Sequence, residues 1–479
     1  MRIALTTRHA DATFIPLALM YLKASVVARG CCAPDEVSIV ELPPTATPAE
    51  IAVAVLASRP AIVGFSCYVW NVTDTLAAAQ LVKATDPSVR IVIGGPEVGP
   101  VAAEVMGRHA CVDAVVLSEG EVPFADIVDA WSRGEGLDGV PGLSYRDAAG
   151  IVANGPATLV KRLDDYPSPH LARYIEYAGR VACIETQRGC VFQCNFCFYN
   201  KDYSLRNRRF ELDRVKEELR SVLDQDVEEI YLMDPVFNLN AARAKEICRF
   251  LAAHNTRRIP IHSEIWAEFV DEEMAILMKA AGFTWLEVGL QTTDPTALAT
   301  TDRRLRLERF GEGIGHLRRQ RLPFELQLIY GLPGETRSSF RESLNYAISL
   351  DPPYLSVFRL MVLPGTELWR KAAELSLTFD PNPPYHVRSH LSMTAEDLQY
   401  GYRFMKAANL LERSRTLRLL AREPGVTFSR IVEQWLEWQP RQADSLPYKD
   451  ALRAFVAHLC GEMSIPAGFY QQFGELELA

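Results

Sequence analysis

The residue types able to do chemistry concentrate in Gly189-Cys190-Val191-Phe192-Gln193-Cys194-Asn195-Phe196-Cys197. Cys190, Cys194 and Cys197 stand at C-x3-C-x2-C spacing, just after the short apolar run Val181-Ala182-Cys183-Ile184. That order predicts a loop leaving the C-terminal end of a strand. Thiolates this close on one loop can converge on a cluster of soft metal ions. A [4Fe–4S] cube usually takes four cysteines, so three leave one iron open for a small molecule to chelate. The alternatives are a zinc site and buried, inert thiols. Zinc wants a fourth Cys or His, and none follows within the next fifty residues.

The elements around this loop alternate. From Val181 the pattern predicts six strand–helix units over residues 181–375, their strands at Val181–Thr186, Glu229–Met233, Ile261–Trp266, Trp285–Leu290, Phe324–Tyr330 and Leu355–Val362. Six units imply a partial (β/α)6 barrel, with its chemistry at the C-terminal strand ends. Those ends are polar. Asp234 and Asn238 follow the second strand, while His262 and Glu264 share one face of the third. Glu287 and Gln291 share a face of the fourth, and Gln327 lies on the fifth. An inward carboxylate is costly unless it is paired or hydrogen-bonded.

Residues 1–135 also alternate strand and helix, which predicts a doubly wound, Rossmann-like parallel sheet. Its strand ends carry Thr6-Thr7, Ser66-Cys67-Tyr68, Gly94-Gly95-Pro96 and Ser118-Glu119-Gly120-Glu121, where such sheets take ligands. Residues 136–180 are Gly- and Pro-punctuated and read as a linker with a small hairpin near 142–152. Beyond Pro381, Pro383 and Pro384, residues 376–479 form a predominantly helical cap over the open barrel side. Tyr385, His386, Arg388 and His390 read as a solvated connector rather than as substrate contacts.

The chain has 479 residues and a formal net charge of -9, which argues against a broad nucleic-acid footprint. No apolar run approaches a transmembrane span. The start reads as a strand with no export signal, so the seven other cysteines are expected reduced in the cytoplasm.

With these residues in place, the cysteine loop resembles that of the radical S-adenosylmethionine (SAM) enzymes. The resemblance implies Cys190, Cys194 and Cys197 as ligands of a [4Fe–4S] cluster, with SAM's amino and carboxylate groups on the open iron. It implies Phe196 near the adenine, and a one-electron donor such as flavodoxin or ferredoxin. It further implies Asp234 at the SAM amino group, Glu264, Glu287 and Gln291 at ribose and carboxylate, and Gly331 and Pro333 near adenine.

Residues 1–135 resemble the cobalamin-binding domain of B12-type radical SAM enzymes through Val63-Gly64-Phe65-Ser66, Ile93-Gly94-Gly95-Pro96-Glu97 and Ser118-Glu119-Gly120-Glu121. Ser66, Gly94, Gly95, Glu119 and Gly120 are the implied cobalamin contacts. Glycines at strand ends let the backbone approach a large flat ligand. The cobalt-ligating D-x-H-x-x-G is absent; Thr7-Arg8-His9-Ala10-Asp11 stands there instead.

Three functions are open on this reading. One is a cobalamin-dependent radical enzyme that methylates an unreactive centre of a small molecule in secondary metabolism. The second is a radical SAM enzyme with an empty B12-like domain that transfers the 3-amino-3-carboxypropyl group. The third is a non-catalytic cobalamin sensor.

Overall fold

The computed structural model of the protein describes residues 1–156, 159–200, 207–442 and 448–462. Its first sheet contains β1 (Ile3–Arg8), β2 (Val37–Leu42), β3 (Ile62–Ser66), β4 (Arg90–Gly94), β5 (Ala114–Val116), β6 (Leu143–Arg146) and β7 (Ile151–Ala153), in the order β2-β1-β3-β4-β5-β6-β7. The first five strands run parallel. Separate apolar cores lie on the two faces. Helices Pro48–Leu56 and Val72–Thr85 contribute to one, helices Leu17–Ala28 and Glu121–Ser132 to the other. Burial on both faces is why β1 and β3 read as continuous apolar runs. The hairpin expected in the linker is β6–β7. It does not stand apart, because β6 pairs antiparallel with β5 and extends this sheet.

The second sheet holds six parallel strands in the order β15-β14-β13-β12-β11-β8. In chain order, β8 (Arg180–Ile184) is followed by a short antiparallel ribbon of β9 (Gln187–Arg188) and β10 (Arg208–Arg209). Then come β11 (Val227–Leu232), β12 (Ile261–Ile265), β13 (Phe283–Gln291), β14 (Glu325–Tyr330) and β15 (Tyr354–Arg359). All six predicted units are present. Here burial alternates strictly along β12 and β14, and along β13 from Leu286 onward. One face packs on helices, and the other lines an open, polar lumen.

The C-terminal segment closes the open side. A ribbon of β16 (Thr378–Phe379) and β17 (Val387–Ser389) straps the end of β15, with Val387 N–H donating to the Leu360 carbonyl at 3.1 Å. Helix Ala395–Leu411 starts with a reciprocal Thr394–Asp397 cap. Its Asn409 then covers the free edge of β15, accepting from Val357 N–H at 2.8 Å and donating to the Val357 carbonyl at 2.9 Å. An uncovered edge strand would invite pairing with another chain.

This helix seats on Gly401. A Cβ there would lie 1.6 Å from Tyr330 Cζ, and the Tyr330 hydroxyl donates to the Asp397 carbonyl at 2.7 Å. Gly401→Ala is therefore expected to destabilise the protein by about 2–3 kcal/mol, as overpacking does. Gly107→Ala is the control, since nothing lies within 4 Å of its Cβ position; it should leave the denaturation midpoint unchanged or slightly raised.

Candidate active site at the barrel mouth

The cysteine loop leaves β8 as expected, and the structure shows what fixes it. Asp234, at the end of β11, is fully buried. Its carboxylate accepts from Thr186 N–H at 2.7 Å, from the Thr186 hydroxyl and from Gln187 N–H at 3.1 Å. Burial pushes its pKa up to about 7. Further along, Asn195 N–H donates to the Thr301 carbonyl at 3.0 Å, Asn195 Nδ2 donates to the Thr300 carbonyl at 2.7 Å, and the Asn195 carbonyl accepts from Leu368 N–H at 2.9 Å. Phe192 stacks on Trp266 with ring centroids 4.0 Å apart.

Cys194 is buried, and Cys190 and Cys197 are half-buried. Burial raises the Cys190 thiol and pushes Cys197 up to about 12; the neighbouring cysteines and Glu264 add to both shifts. The three sulfurs thus lie within electrostatic reach of one another, and those of Cys190 and Cys197 within reach of Glu264. Among the described residues, no three His, Cys, Asp or Glu side chains converge as single-ion ligands do.

Arg303 lies beside the thiols. It is 8% exposed, with Nη1 3.6 Å from Cys194 Sγ and Nη2 donating to the Gly289 carbonyl. Its guanidinium covers the Trp266 ring at 4.6 Å, while its Nε is buried without a partner. Gln291 ends β13 in the left-handed region at φ 67°, and its Oε1 is likewise buried and unpartnered. A register shift between Gly289 and Gln291 turns this residue. A Cβ on Gly289 would meet Gln291 Nε2 at 2.5 Å, so a side chain there would displace the Gln291 amide.

Deeper in the lumen, a polar chain crosses the strands. His262 Nδ1 faces Glu229 at 3.4 Å, and its Nε2 bonds Glu287 at 2.9 Å. Gln327 Nε2 donates to Glu287 at 2.8 Å and to Glu325 at 3.1 Å, and the Ser356 hydroxyl donates to Glu325. Burial disfavours the imidazolium, but the bonds to Glu229 and Glu287 outweigh it and raise the His262 pKa to about 9. Burial of Glu287 is likewise outweighed, by its bonds from His262 and Gln327, and its pKa is lowered. Above this layer, Glu264 accepts from the Tyr231 hydroxyl at 3.2 Å. Burial, then the charge of Glu287, push it up to about 7.

The strand-end loops of the first sheet lie against the second domain beside the cysteine loop, where Gly365 packs between Pro100 and Phe198. Ser66, Gly94, Gly95 and Gly120 are all half-exposed there. Gly95 has φ 117°, and a Cβ on it would strike the Cys67 carbonyl oxygen at 2.4 Å. Tyr68 lies within electrostatic reach of Glu185 and Cys183. Gly365 approaches Pro100 so closely that a Cβ would meet its ring at 2.5 Å.

Several expected roles do not match these positions. Asp234 is not offered to a ligand; its acceptor bonds hold the start of the cysteine loop. Glu119 is 8% exposed and engaged by Arg208 and by the Tyr166 hydroxyl, with Arg188 3.7 Å away. It is a joint between the domains, not an open contact. Glu287, expected at the SAM ribose or carboxylate, is engaged by His262 and Gln327 in the lumen chain. Gly331 and Pro333 are buried beneath the C-terminal strap, a Cβ on Gly331 meeting Val387 and Leu398 at 3.0 Å. His9, which stands where the cobalt-ligating motif is absent, is bonded to Glu41 at 2.9 Å, in keeping with a polar loop residue. Tyr385 is buried against Glu97 rather than solvated. Arg303 was missed because Thr300-Thr301-Asp302-Arg303 reads as a solvated loop, with no local signal of burial.

The description "B12 binding domain" matches residues 3–128, and "Radical SAM superfamily" matches residues 184–347. The chain carries a B12-binding domain and a radical SAM domain. An uncharacterized methyltransferase of Pyrococcus horikoshii is similar to it at 29% identity over 375 residues, covering 77% of this chain and 80% of that one. The cobalamin-dependent radical SAM methyltransferase TokK of Streptomyces tokunonensis is 29% identical over 332 residues, 65% of this chain and 48% of TokK. The chain thus spans about half the length of TokK. The solved structure of OxsB with aqua-cobalamin and SAM bound shares the fold at a TM-score of 0.68 and 14% identity, covering 99% of this chain and 83% of that one.

The residues present fit the groups these domains imply. Three thiols and no fourth cysteine on the loop suit a cube with one open corner. The orphaned Arg303 Nε and Gln291 Oε1 suit a ligand carrying both an anion and donors. The half-exposed backbone around Gly94 and Gly95 suits a flat macrocycle.

The lumen chain makes a pH prediction. His262 has its pKa raised from 6.5 to about 9, so its stabilising effect is fully present below about pH 6.5 and lost as pH rises through about 9. The stability gap between the native protein and His262→Gln should narrow over that window in equilibrium unfolding. A gap that widened with pH would contradict the assignment.

Proposed function

We propose that this protein is a B12-binding radical SAM transferase that methylates an unreactive centre of a small molecule. The observation that carries it is the meeting of the first sheet's glycine-lined strand ends with the cysteine loop at one barrel mouth. When bound, the cluster supplies the electron that splits SAM, and the corrin supplies the methyl group.

The chain's own residues bind and orient. Cys190, Cys194 and Cys197 hold the cluster. Arg303 offers the SAM carboxylate a buried cation, and Gln291 Oε1 and Glu264 accept from its ammonium and ribose. Phe196 borders the adenine. Ser66, Gly94, Gly95 and Gly120 line the cobalamin side. Asp234, Asn195 and the Phe192–Trp266 stack keep the loop in place, and the C-terminal strap limits water. Nine cysteines are free among the described residues, which suits the reducing cytoplasm and a donor such as flavodoxin or ferredoxin.

Anaerobic reconstitution with iron, sulfide, SAM, a reductant and hydroxocobalamin, followed by mass spectrometry, tests this. S-adenosylhomocysteine and 5′-deoxyadenosine are the expected products. Methylthioadenosine would instead indicate 3-amino-3-carboxypropyl transfer, and refusal of cobalamin or zinc at the thiols would overturn the proposal. Cys194→Ala should lower iron retention and both products by about 100-fold. Arg303→Lys keeps the charge but loses the planar fork, so SAM should bind about tenfold more weakly at unchanged iron content.

A further inference from the structure

The β9–β10 ribbon closes the base of the cysteine loop, since Arg188 pairs with Arg208 across it and residues 189–207 lie between. Both arginines turn toward the first domain. Arg208 bonds Glu119, and Arg188 bonds Glu121 at 2.6 Å and lies 3.7 Å from Glu119. Glu185, at the end of β8, takes the other side of Arg188 at 2.8 Å. The rings of Tyr21 and Tyr166 cover the Arg188 guanidinium at 5.0 and 5.1 Å. The Tyr166 hydroxyl donates to Glu119 at 2.7 Å. Glu119, Glu121, Arg188 and both tyrosines are at least nine-tenths buried.

Two like charges directly opposite on a ribbon repel. They are tolerable here because carboxylates from the other domain lie between and beside them. Glu119 accepts from Arg208 and Tyr166 and lies 3.7 Å from Arg188, within ion-pair reach of both cations, and it sits in the same strand-end loop as Gly120. The base of the cluster loop and the loop lining the B12-like site are therefore joined through Glu119, which reaches both arginines, with Glu121 as a second partner of Arg188 alone.

We propose that Glu119 is a positioning residue that fixes the cysteine loop relative to the B12-like strand ends, and so couples methyl delivery to SAM cleavage. The coupling half rests on the function proposed above; the positioning half does not. Glu119→Gln keeps the shape and an acceptor for Tyr166 but removes the charge that both arginines share. Glu119→Asp keeps the charge and shortens its reach.

The first measurement is hydrogen–deuterium exchange on the cofactor-free protein. Glu119→Gln should speed exchange in residues 187–199 by about tenfold while leaving β12–β14 unchanged, and Glu119→Asp should fall between it and the native chain. Unchanged exchange at the loop, or equal acceleration throughout, would overturn the proposal.

The second measurement is on reconstituted protein at matched iron and cobalamin occupancy. Glu119→Gln should lower the ratio of S-adenosylhomocysteine to 5′-deoxyadenosine by about tenfold. A parallel fall in both products would mean a merely structural role and would overturn the coupling. If the native protein takes up no cobalamin, the function proposed above fails while the exchange result still decides whether Glu119 holds the loop.

Discussion

The arrangement depends on the burial of Arg188. A guanidinium taken out of water costs several kcal/mol unless its charge and donors are met. Here they are met from both sides, by Glu185 of its own domain and by Glu121 of the other. Arg208 adds a second cation and Glu119 a carboxylate between them. Such a set is satisfied in one relative placement of the two domains. A displacement of an ångström or two would leave buried charges unpaired, so the joint contributes to specificity of docking as much as to stability. Smaller joints repeat the pattern. Glu41 bonds both His9 and Arg180, and Glu97 accepts from Tyr385 far along the chain.

With the domains held this way, the barrel can remain open. A closed eight-stranded barrel fills its interior with layers of branched apolar side chains. Six strands leave a gap, and the alternation along β12–β14 puts His262, Glu264, Glu287 and Gln327 on the concave side, with Ser356 beside them on β15. The charges do not stand alone. The imidazolium between Glu229 and Glu287 and the amide between Glu287 and Glu325 join them into a chain in which nearly every polar group has a partner. Asn409 does for the edge of β15 what a seventh strand would have done.

Much of this was legible in the sequence, for identifiable reasons. Alternating strand and helix patterns reveal two α/β units because a parallel sheet needs crossover helices. The C-x3-C-x2-C loop is legible because its chemistry is local. Period-two spacing put His262 with Glu264 on a shared face; Glu287 follows the same alternation, but the register shift at the end of β13 turns Gln291 out of it. Partners are another matter. Asp234 is bonded to Thr186, 48 positions away, and Glu119 to Arg208, 89 positions away; nothing in either neighbourhood announces such a bond. Strand-end carboxylates look alike as sequence, whether they meet a ligand or hold a loop. Arg303 shows the converse: a charged residue in a polar run is assigned to solvent by default, and only the folded chain places it over Trp266.

That difference between residues that hold and residues that are left open separates scaffold from site. Asp234, Glu119, Glu121 and Glu335 are buried carboxylates with protein partners; Glu335, raised to about 8 by burial, accepts from Gly331 N–H and Thr292. Their hydrogen bonds are complete without a ligand. Arg303 Nε and Gln291 Oε1 are buried with none. A buried polar atom left unpaired costs about 1–3 kcal/mol, a cost that a folded chain sustains where something else supplies the missing bond. Both residues pack around Gly289, one in strained backbone and the other a cation within reach of Cys194. The unsatisfied bonds, the strain and the soft ligands coincide at the barrel mouth, where the glycine-lined strand ends of the first sheet arrive from the other side.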